Sequence, residues 1–198
     1  MVPKKRILIL FFHPLAHKSR VNRVLINSVK EMEGITIKNM YDLYPDFHID
    51  VKAEQRDLLN HDLIIWQHPF YWYSSPSLLK EWIDLVLVHG FAYGREGKAL
   101  AGKQIMTAIT TGGRNEAYIP EDGKRYSVPQ LLAPFEQTVH LCRMNYLPPF
   151  VVHGTHLLEE RDILEAGSNY RKVIQMLRDE SLSEEEIRKE NYINHIIL

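Results

Sequence analysis

Residues 6–12 have the sequence Arg-Ile-Leu-Ile-Leu-Phe-Phe, an apolar run that follows a cation and ends at His13-Pro14. A continuous apolar run of this kind is typical of a strand that is covered on both faces, as in a parallel sheet. The basic residues before it imitate the start of a signal peptide, but the run is too short for one and no small-residue cleavage site follows. The sequence therefore predicts a buried first strand and a cytoplasmic protein.

Four further apolar segments alternate with helical patterns along the chain. The further predicted strands lie over residues 35–37, 62–67, 104–110 and 149–153. The predicted helices span residues 20–29, 76–86, 128–142 and 159–177. This alternation indicates an α/β fold with a parallel sheet and helices on both faces. Five strands in one domain favour the flavodoxin-like order 2-1-3-4-5, in which ligands bind beyond the carboxyl ends of the strands.

The composition is that of an ordinary globular protein with one main domain. The 198 residues are 45% hydrophobic and 25% charged, and their net charge is -1. This balance argues against nucleic acid or an anionic membrane as the main partner. The single Cys142 excludes an intrachain disulfide and a cysteine-rich zinc site, and its helical position predicts a buried side chain. We predict one flavodoxin-like domain over residues 1–180 and a helical extension over residues 181–198, with a capping box at Ser183.

The unusual residues of the chain cluster directly after three of the predicted strands. His13 and the helix start at residues 19–22 follow the first strand. The aromatic loop at residues 70–73 follows the third strand, and residues 110–113 follow the fourth. Because the carboxyl ends of parallel strands meet at one edge, these residues can line a single crevice. The predicted cofactor-binding residues are His13, Ser19, Arg20, Val21, Asn22, Phe70, Tyr71, Trp72, Tyr73, Thr110, Thr111, Gly112 and Gly113.

Each of these groups also has an ordinary structural explanation. The helix start at residues 19–22 suits a phosphate, but a plain N-cap has the same sequence. The aromatic side chains at residues 70–73 suit a planar ring system or an oligomer interface. The Thr-Thr-Gly-Gly sequence at residues 110–113 lets a ligand approach the backbone closely, or forms only a turn. Together the three groups favour a flavin, with its phosphate at residues 19–22 and its ring against the aromatic loop.

Several longer stretches of the sequence occur in the same order in a known family. These stretches are Leu43–Asp50, Trp66–Pro69, Leu79–Asp84, His89–Gly94, Leu100–Lys103, Thr110–Gly113, Pro134–Glu136 and Leu147–Phe150. Over residues 6–178 the chain resembles the DT-diaphorase-like NAD(P)H:quinone oxidoreductases. Within them it is most similar to the KefF/KefG-type ancillary flavoproteins of the glutathione-gated potassium efflux systems.

The resemblance implies a flavodoxin-like fold with FMN as cofactor, FAD being the alternative, and it implies flavin binding by the thirteen residues given above. It also implies NAD(P)H as electron donor, a quinone or similar acceptor, and ping-pong transfer of a hydride. The implied catalytic groups are Tyr118 and the backbone amides of Gly112 and Gly113. One departure concerns the family's histidine beyond Thr-Thr-Gly-Gly, because Lys124 stands at its position. A proton relay through that histidine is therefore not carried over to this chain.

Two functions remain open from the sequence. The chain is an oxidoreductase, or it is a regulatory flavin-binding subunit of a potassium-efflux transporter at the inner face of the cell membrane. In both cases the family implies a homodimer, and the aromatic loop with the apolar stripe from Trp82 onward favours one. A metal site at His13 or His153 is disfavoured because zinc needs three or four convergent ligands. His68 is predicted to bond to the backbone at its strand end.

Hydrolysis and Rossmann-type binding have no support in the sequence. The chain contains no Gly-x-Ser-x-Gly nucleophile elbow, no P-loop and no Gly-x-Gly-x-x-Gly motif. The predicted chemistry is therefore that of the flavin.

Overall fold

A computed structural model describes residues 5–120 and 126–197 of the chain. Its centre is a five-stranded parallel sheet with the strand order β2-β1-β3-β4-β5, which confirms the predicted fold class. The strands are β1 Ile7–Phe11, β2 Ile35–Asn39, β3 Leu63–Pro69, β4 Gln104–Thr110 and β5 Asn145–Val152. Strands β2 and β5 form the two edges of the sheet.

Helices cover both faces of the sheet. The α-helices of the described residues are α1 Arg20–Val29, α2 Met40–Leu43, α3 Val51–Asn60, α4 Ser77–Val86, α5 Val128–Leu131, α6 Ala133–Leu141, α7 Glu160–Asp179 and α8 Glu184–Arg188. Helices α1 and α7 supply one core, and helices α3, α4, α5 and α6 supply the other. Short 3-10 helices are found at Ala16–Lys18, Asn115–Tyr118 and Ile193–Ile197. Across the described ranges, no helix is both long enough and apolar enough to cross a bilayer.

The apolar runs form central strands because both of their faces are buried. All residues of β1, β3 and β4 are buried. Along β1 the side chains alternate, so that Leu8 and Leu10 join one core while Ile7 and Ile9 join the other. Alternation of this kind follows from the two-residue period of a strand.

Two predicted elements differ from the structure because of proline. The predicted helix over residues 128–142 is divided at Leu132, which has a ψ of 0°, and Pro134 follows in the first turn of α6. Strand β5 begins at Asn145, four residues before the predicted start at residue 149. Its pairing with β4 shifts register opposite Met106–Ala108, and the extra residue of β5 falls at Pro148-Pro149. An edge strand tolerates such a bulge and the missing N–H groups of proline.

The structure bears out the predicted backbone bond of His68 and the predicted burial of Cys142. His68 is fully buried, and its Nδ1 donates a hydrogen bond to the carbonyl of Pro69 at 2.9 Å. Burial lowers the pKa of His68 to about 4, so its ring is neutral at pH 7. Cys142 is also buried, and burial raises the pKa of its thiol to about 11. Its thiol is therefore protonated and unreactive at neutral pH.

The apolar residues of α4 from Trp82 onward were expected to be exposed, and this prediction is wrong for Trp82. This side chain is fully buried and packs edge-on against Phe12 and Trp66. Phe70 of the aromatic loop is also buried, at 8% exposure. The large apolar side chains that remain exposed near the loop are Tyr71, Trp72 and Tyr73.

A buried carboxylate holds α3 against β2 and α4. The side chain of Glu54 is fully buried and accepts hydrogen bonds from Lys38, from the Tyr44 hydroxyl at 2.7 Å and from Trp82 Nε1 at 2.9 Å. Lys38 also donates to Asp57 at 2.7 Å. A buried charge is stable only when it is paired and its oxygens accept hydrogen bonds, and both conditions hold here.

We expect Glu54→Gln to lower the free energy of unfolding by about 3–5 kcal/mol, because removing one partner of a buried ion pair leaves the other charge poorly compensated. Urea denaturation at pH 7 measures this loss. Glu81→Gln, an exposed change on α4, is the control and should stay within about 0.5 kcal/mol of the natural protein. Equal stability of the two variants would contradict the assignment.

Candidate functional site

A cavity of about 630 Å³ opens at the carboxyl ends of β1, β3, β4 and β5. Its lining residues are His13, Leu15, Lys18, Ser19, Arg20, Val21, Asn22, Pro69, Phe70, Tyr71, Trp72, Thr110, Gly112, Thr155 and His156. The three loops that the sequence singles out therefore meet at one cavity. Its volume is within the usual range for a cofactor site, about 300–1,000 Å³.

Four of the predicted site residues do not line this cavity. Tyr73 lies on the exposed loop, Thr111 and Tyr118 are buried, and Gly113 is half-buried. The roles assigned to these residues stay predictions, and Lys124 lies outside the described residues. Conversely, the sequence prediction missed the contribution of the segment after β5. Its signal was available, because the carboxyl end of a fifth parallel strand must face the same edge.

The start of α1 gives the cavity a positive wall. The Ser19 hydroxyl accepts the backbone N–H of Asn22 at 3.2 Å, so Ser19 is the N-cap of α1. Lys18 and Arg20 also line the cavity, and Arg20 donates a hydrogen bond to the Leu158 carbonyl at 3.1 Å. Within the described part of the chain no acidic side chain lines the cavity. Two cations and the positive end of a helix dipole therefore favour an anion here.

A buried chain of hydrogen bonds runs beneath the cavity. Tyr170 donates its hydroxyl hydrogen to Gln67 Oε1 at 3.0 Å. Gln67 Nε2 donates to Asn22 Oδ1 at 3.2 Å, and Asn22 Nδ2 donates to Thr110 Oγ1 at 2.9 Å. All four side chains are buried, so each bond replaces water that the groups lose on folding. The chain joins α7, β3, α1 and β4.

These hydrogen bonds give the Asn22 side chain a different role from the predicted one. The sequence predicts that its side chain lies by a ligand phosphate, but the side chain is engaged inside the protein by Gln67 and Thr110. Thr110 is the acceptor at the end of the chain, which leaves its own hydroxyl hydrogen for another acceptor. Because Thr110 lines the cavity, that donor is available to a ligand. Neighbouring hydrogen bonds in a chain polarise one another and strengthen such a donor.

Backbone hydrogen bonds join the Thr111–Gly113 loop to the segment after β5. The Thr111 N–H donates to the Val152 carbonyl at 2.9 Å, and the Thr155 N–H donates to the Thr111 carbonyl at 3.0 Å. The Gly154 N–H donates to the Gly113 carbonyl at 2.9 Å. Among the described residues, no protein acceptor faces the N–H groups of Gly112 and Gly113. Of these two donors, the N–H of Gly112 belongs to a residue that lines the cavity.

Both glycines have close neighbours where a side chain would start. A Cβ at Gly112 would lie 3.2 Å from the imidazole of His156, and a Cβ at Gly113 would lie 3.2 Å from the ring of Tyr118. Either neighbour would have to move by a few tenths of an ångström. Glycine therefore lets the loop lie close to both rings.

The aromatic loop exposes its tip to solvent. Trp72 is 93% exposed, and Trp72 and Tyr73 have φ values of 50° and 61°. Left-handed backbone is uncommon for bulky residues and persists only where surrounding bonds impose it. Here the Phe70 N–H donates to the Thr110 carbonyl at 2.8 Å and the Ser74 N–H to the Tyr71 carbonyl at 2.9 Å. The turn holds Trp72 outward, where a ligand or a partner can cover it.

His13 at the mouth of the cavity is neutral at pH 7. Burial lowers its pKa, and the backbone N–H of Leu15 donates to Nδ1 at 3.1 Å. Because Nδ1 is the acceptor, the ring hydrogen is on Nε2. Elsewhere in residues 5–120 and 126–197, no three His, Cys, Asp or Glu side chains converge in a way that could hold a metal ion.

Comparison with known families agrees with this geometry. A family model for the flavodoxin-like fold matches residues 5–174 of the chain. The chain belongs to this family. The match covers all five strands of the sheet and every residue that lines the cavity.

Members of the flavodoxin-like family with known names resemble the chain over most of its length. KefF, the ancillary protein of the glutathione-regulated potassium-efflux system of Klebsiella pneumoniae (strain 342), is 43% identical over 166 residues, which are 84% of this chain and 93% of KefF. General stress protein 14 of Treponema denticola, solved in complex with FMN, has a TM-score of 0.83 and 35% identity over 87% of this chain and 99% of that one. An NADPH-quinone reductase from P. pentosaceus has a TM-score of 0.77 and 29% identity, over 84% and 96% of the two chains. These similarities confirm the predicted resemblance.

The buried hydrogen bonds below the cavity lead to a prediction about the free energy of unfolding. Tyr170→Phe should lower the free energy of unfolding by about 1–3 kcal/mol, because it leaves Gln67 Oε1 buried without its donor. Thr110→Val removes the acceptor at the other end of the chain. If the linked hydrogen bonds act as one unit, a double-mutant cycle between the two changes should show a coupling free energy above about 0.5 kcal/mol.

Thr107→Val provides the matched control for this cycle. Thr107 lies on the same strand as Thr110, but its hydroxyl bonds to Tyr146 at 2.8 Å and shares no partner with Tyr170. Its effect should add to that of Tyr170→Phe. Both cycles are measured by urea denaturation. Additive effects in both would show that the buried hydrogen bonds are not cooperative.

Proposed function

We propose that this protein is a flavin-dependent NAD(P)H:quinone oxidoreductase that binds FMN at the carboxyl ends of its strands. The observation that carries the proposal is that one cavity combines a positive helix start, free backbone donors and exposed aromatic rings. These surfaces match an anionic phosphate, the polar edge of a flavin ring and its aromatic face. FMN is favoured by the Treponema denticola relative that was solved with FMN, and FAD is the alternative.

The residues of the cavity suit the separate parts of this cofactor. The first turn of α1, with Ser19 as N-cap and the cations of Lys18 and Arg20, would hold the phosphate. The aromatic loop would cover the ring, and the Thr110 hydroxyl with the amide of Gly112 would donate to its polar edge. The wall is tight at Gly112, because a Cβ there would lie 3.2 Å from the imidazole of His156.

The bound flavin would supply the redox chemistry, accepting two electrons from NAD(P)H and passing them to a quinone. The chain's own part is to bind and orient the cofactor and to stabilise negative charge on it. Fixed donors at Gly112 and Gly113 suit that task because they need no reorganisation when the charge develops. Tyr118, predicted as catalytic, lies behind this wall with its ring 5.4 Å from that of His153. We assign it the support of the two glycine donors.

A second function is favoured by the similarity to KefF. An ancillary protein of a potassium-efflux system acts on a membrane transporter, and 43% identity over most of both chains supports such a partner here. We propose that the protein is cytoplasmic and reaches the inner face of the cell membrane through that partner. In this role the flavin would serve as a structural or sensing group, and reductase activity would be secondary.

The purified protein should carry a flavin and oxidise NAD(P)H when a quinone is added. Ser19→Asp should weaken FMN binding about tenfold or more, since a like charge replaces a contact worth about 1.5–3 kcal/mol at the phosphate. Absorbance with chromatography of the released flavin measures the content, and fluorescence quenching measures the FMN dissociation constant.

The control for this variant is Ser77→Asp, which places the same charge on an exposed serine at the start of α4. It should leave flavin content unchanged. Flavin without quinone-dependent oxidation would favour the regulatory role. Absence of flavin and of FMN binding would overturn both functions.

We also propose a homodimer in which the partner covers the aromatic loop. Exposed Trp72 is the residue type that most often dominates an interface. Light scattering should give twice the mass of the 23.2 kDa chain, and Trp72→Ser should shift the protein toward the monomer. Leu141→Ser, which changes a side chain that is 56% exposed on α6, should remain dimeric. A monomer at micromolar concentration would contradict the proposal.

A further inference from the structure

The C-terminal segment, residues 181–197, lies beyond the residues that match the flavodoxin-like family model. It covers the outer edge of β5. Asn194 Oδ1 accepts the Val151 N–H at 2.9 Å, and Asn194 Nδ2 donates to the Val151 carbonyl at 3.0 Å. One side-chain amide thus takes the place of a neighbouring strand. Covering an edge in this way satisfies backbone groups that would otherwise pair with another chain.

The segment is fixed at the other end of β5 as well. Glu184 Oε1 accepts hydrogen bonds from Gln104 Nε2 at 2.6 Å and from Asn145 Nδ2 at 3.4 Å. Ile187 and Ile193 are buried in the core that α1 and α7 supply. The segment therefore follows the edge strand from its start to its carboxyl end, where the candidate site lies.

Tyr192 brings the segment to the opposite face of the sheet. It packs against the other core, although the next residue, Ile193, packs against the first. Its ring lies 6.3 Å from the ring of His153 at an interplanar angle of 76°, an edge-on contact. His153 follows the last residue of β5, directly behind the wall of the cavity. The extension thus contacts the segment that supports the site.

His153 in turn fixes the orientation of the Thr111 hydroxyl. Thr111 Oγ1 donates its hydrogen to the Gly113 carbonyl at 2.7 Å, so the bond of 3.1 Å between Thr111 Oγ1 and His153 Nδ1 must be donated by His153. The His153 ring also packs on Tyr118, with 5.4 Å between the ring centroids. Through the Thr111 hydroxyl, His153 therefore helps to hold the Gly113 carbonyl.

We propose that residues 181–197 form a brace for the candidate flavin site, in which Tyr192 and His153 are positioning residues for the Thr111–Gly113 loop. The brace acts through one continuous path, from the Tyr192 ring to His153, then to the Thr111 hydroxyl and the Gly113 carbonyl. Its effect on flavin binding rests on the proposed function, whereas its effect on the loop does not.

The test uses the full-length protein with Tyr192→Ala, and Tyr192→Phe as the conservative variant. Hydrogen exchange is measured first in protein stripped of flavin, at the amides of Thr111, Gly154 and Thr155, which donate the backbone hydrogen bonds that hold the loop. In Tyr192→Ala the loop can open without breaking the ring contact with His153, so local opening costs less free energy. We therefore expect exchange of these amides to become about tenfold faster. Tyr192→Phe keeps the ring and should restore the natural rate.

Ile196→Ala is the control for general loosening of the segment. Ile196 packs on the opposite core and has no ring contact with His153. It should lower the melting temperature without speeding exchange at Thr111, Gly154 and Thr155. His153→Ala should reproduce the effect of Tyr192→Ala, and the double variant should show no further increase. Equal exchange at the loop in Tyr192→Ala and Ile196→Ala would overturn the proposal.

The FMN dissociation constant separates this proposal from the proposed function. Tyr192→Ala should weaken FMN binding about 3- to 10-fold, a range typical of residues that act on a site through others. If the loop responds but no variant binds FMN, the brace stands and the flavin assignment fails. If FMN binds and neither the loop nor its affinity responds to Tyr192→Ala, the brace fails.

Discussion

The geometry of the candidate site depends on the buried hydrogen bonds that link Tyr170, Gln67, Asn22 and Thr110. Van der Waals packing of α1 and α7 on the sheet tolerates small sliding movements, whereas a buried amide that loses its partner carries a penalty of about 1–3 kcal/mol. The bonds therefore fix how far the start of α1 lies from the end of β4. That separation sets the distance between the positive wall and the loop donors.

Hydrogen bonds within the protein also fix the opposite wall of the cavity, the Thr111–Gly113 loop. The carbonyls of Thr111 and Gly113 accept hydrogen bonds from the segment after β5, whereas the N–H groups of Gly112 and Gly113 have no acceptor among the described residues. A backbone donor held in this way loses no conformational freedom when a ligand binds, which is the advantage of preorganisation. The loop thus uses the carbonyls of Thr111 and Gly113 and the N–H of Thr111 for its own folding, and the glycine N–H groups remain as donors. An anionic or electron-rich ligand is the natural complement.

The sequence predicted those parts of the fold in which local pattern and tertiary burial agree. Strand β4 was predicted to the residue because a buried apolar run ends at Thr-Thr-Gly-Gly. Helix α3 was missed because its buried positions are occupied by Glu54 and Leu58, and a charged core residue hides an apolar stripe. The division between α5 and α6 depends on the backbone at Leu132, which a hydrophobic pattern does not encode.

The candidate site shows a similar limit, and its cause is electrostatic. The net charge of -1 indicates no strongly charged surface, yet Lys18, Arg20 and a helix start meet at a cavity whose described lining holds no carboxylate. The net charge of a protein does not reveal such an arrangement. The electrostatic field at a site depends on which charges are near it and on how little water screens them. Motif position along the strands revealed Ser19, whereas Thr155 and His156 would have been found only by extending the same argument to the end of the fifth strand. What the sequence lacked was the neighbour of each loop across the sheet edge, and parallel topology supplies that neighbour for every strand at once.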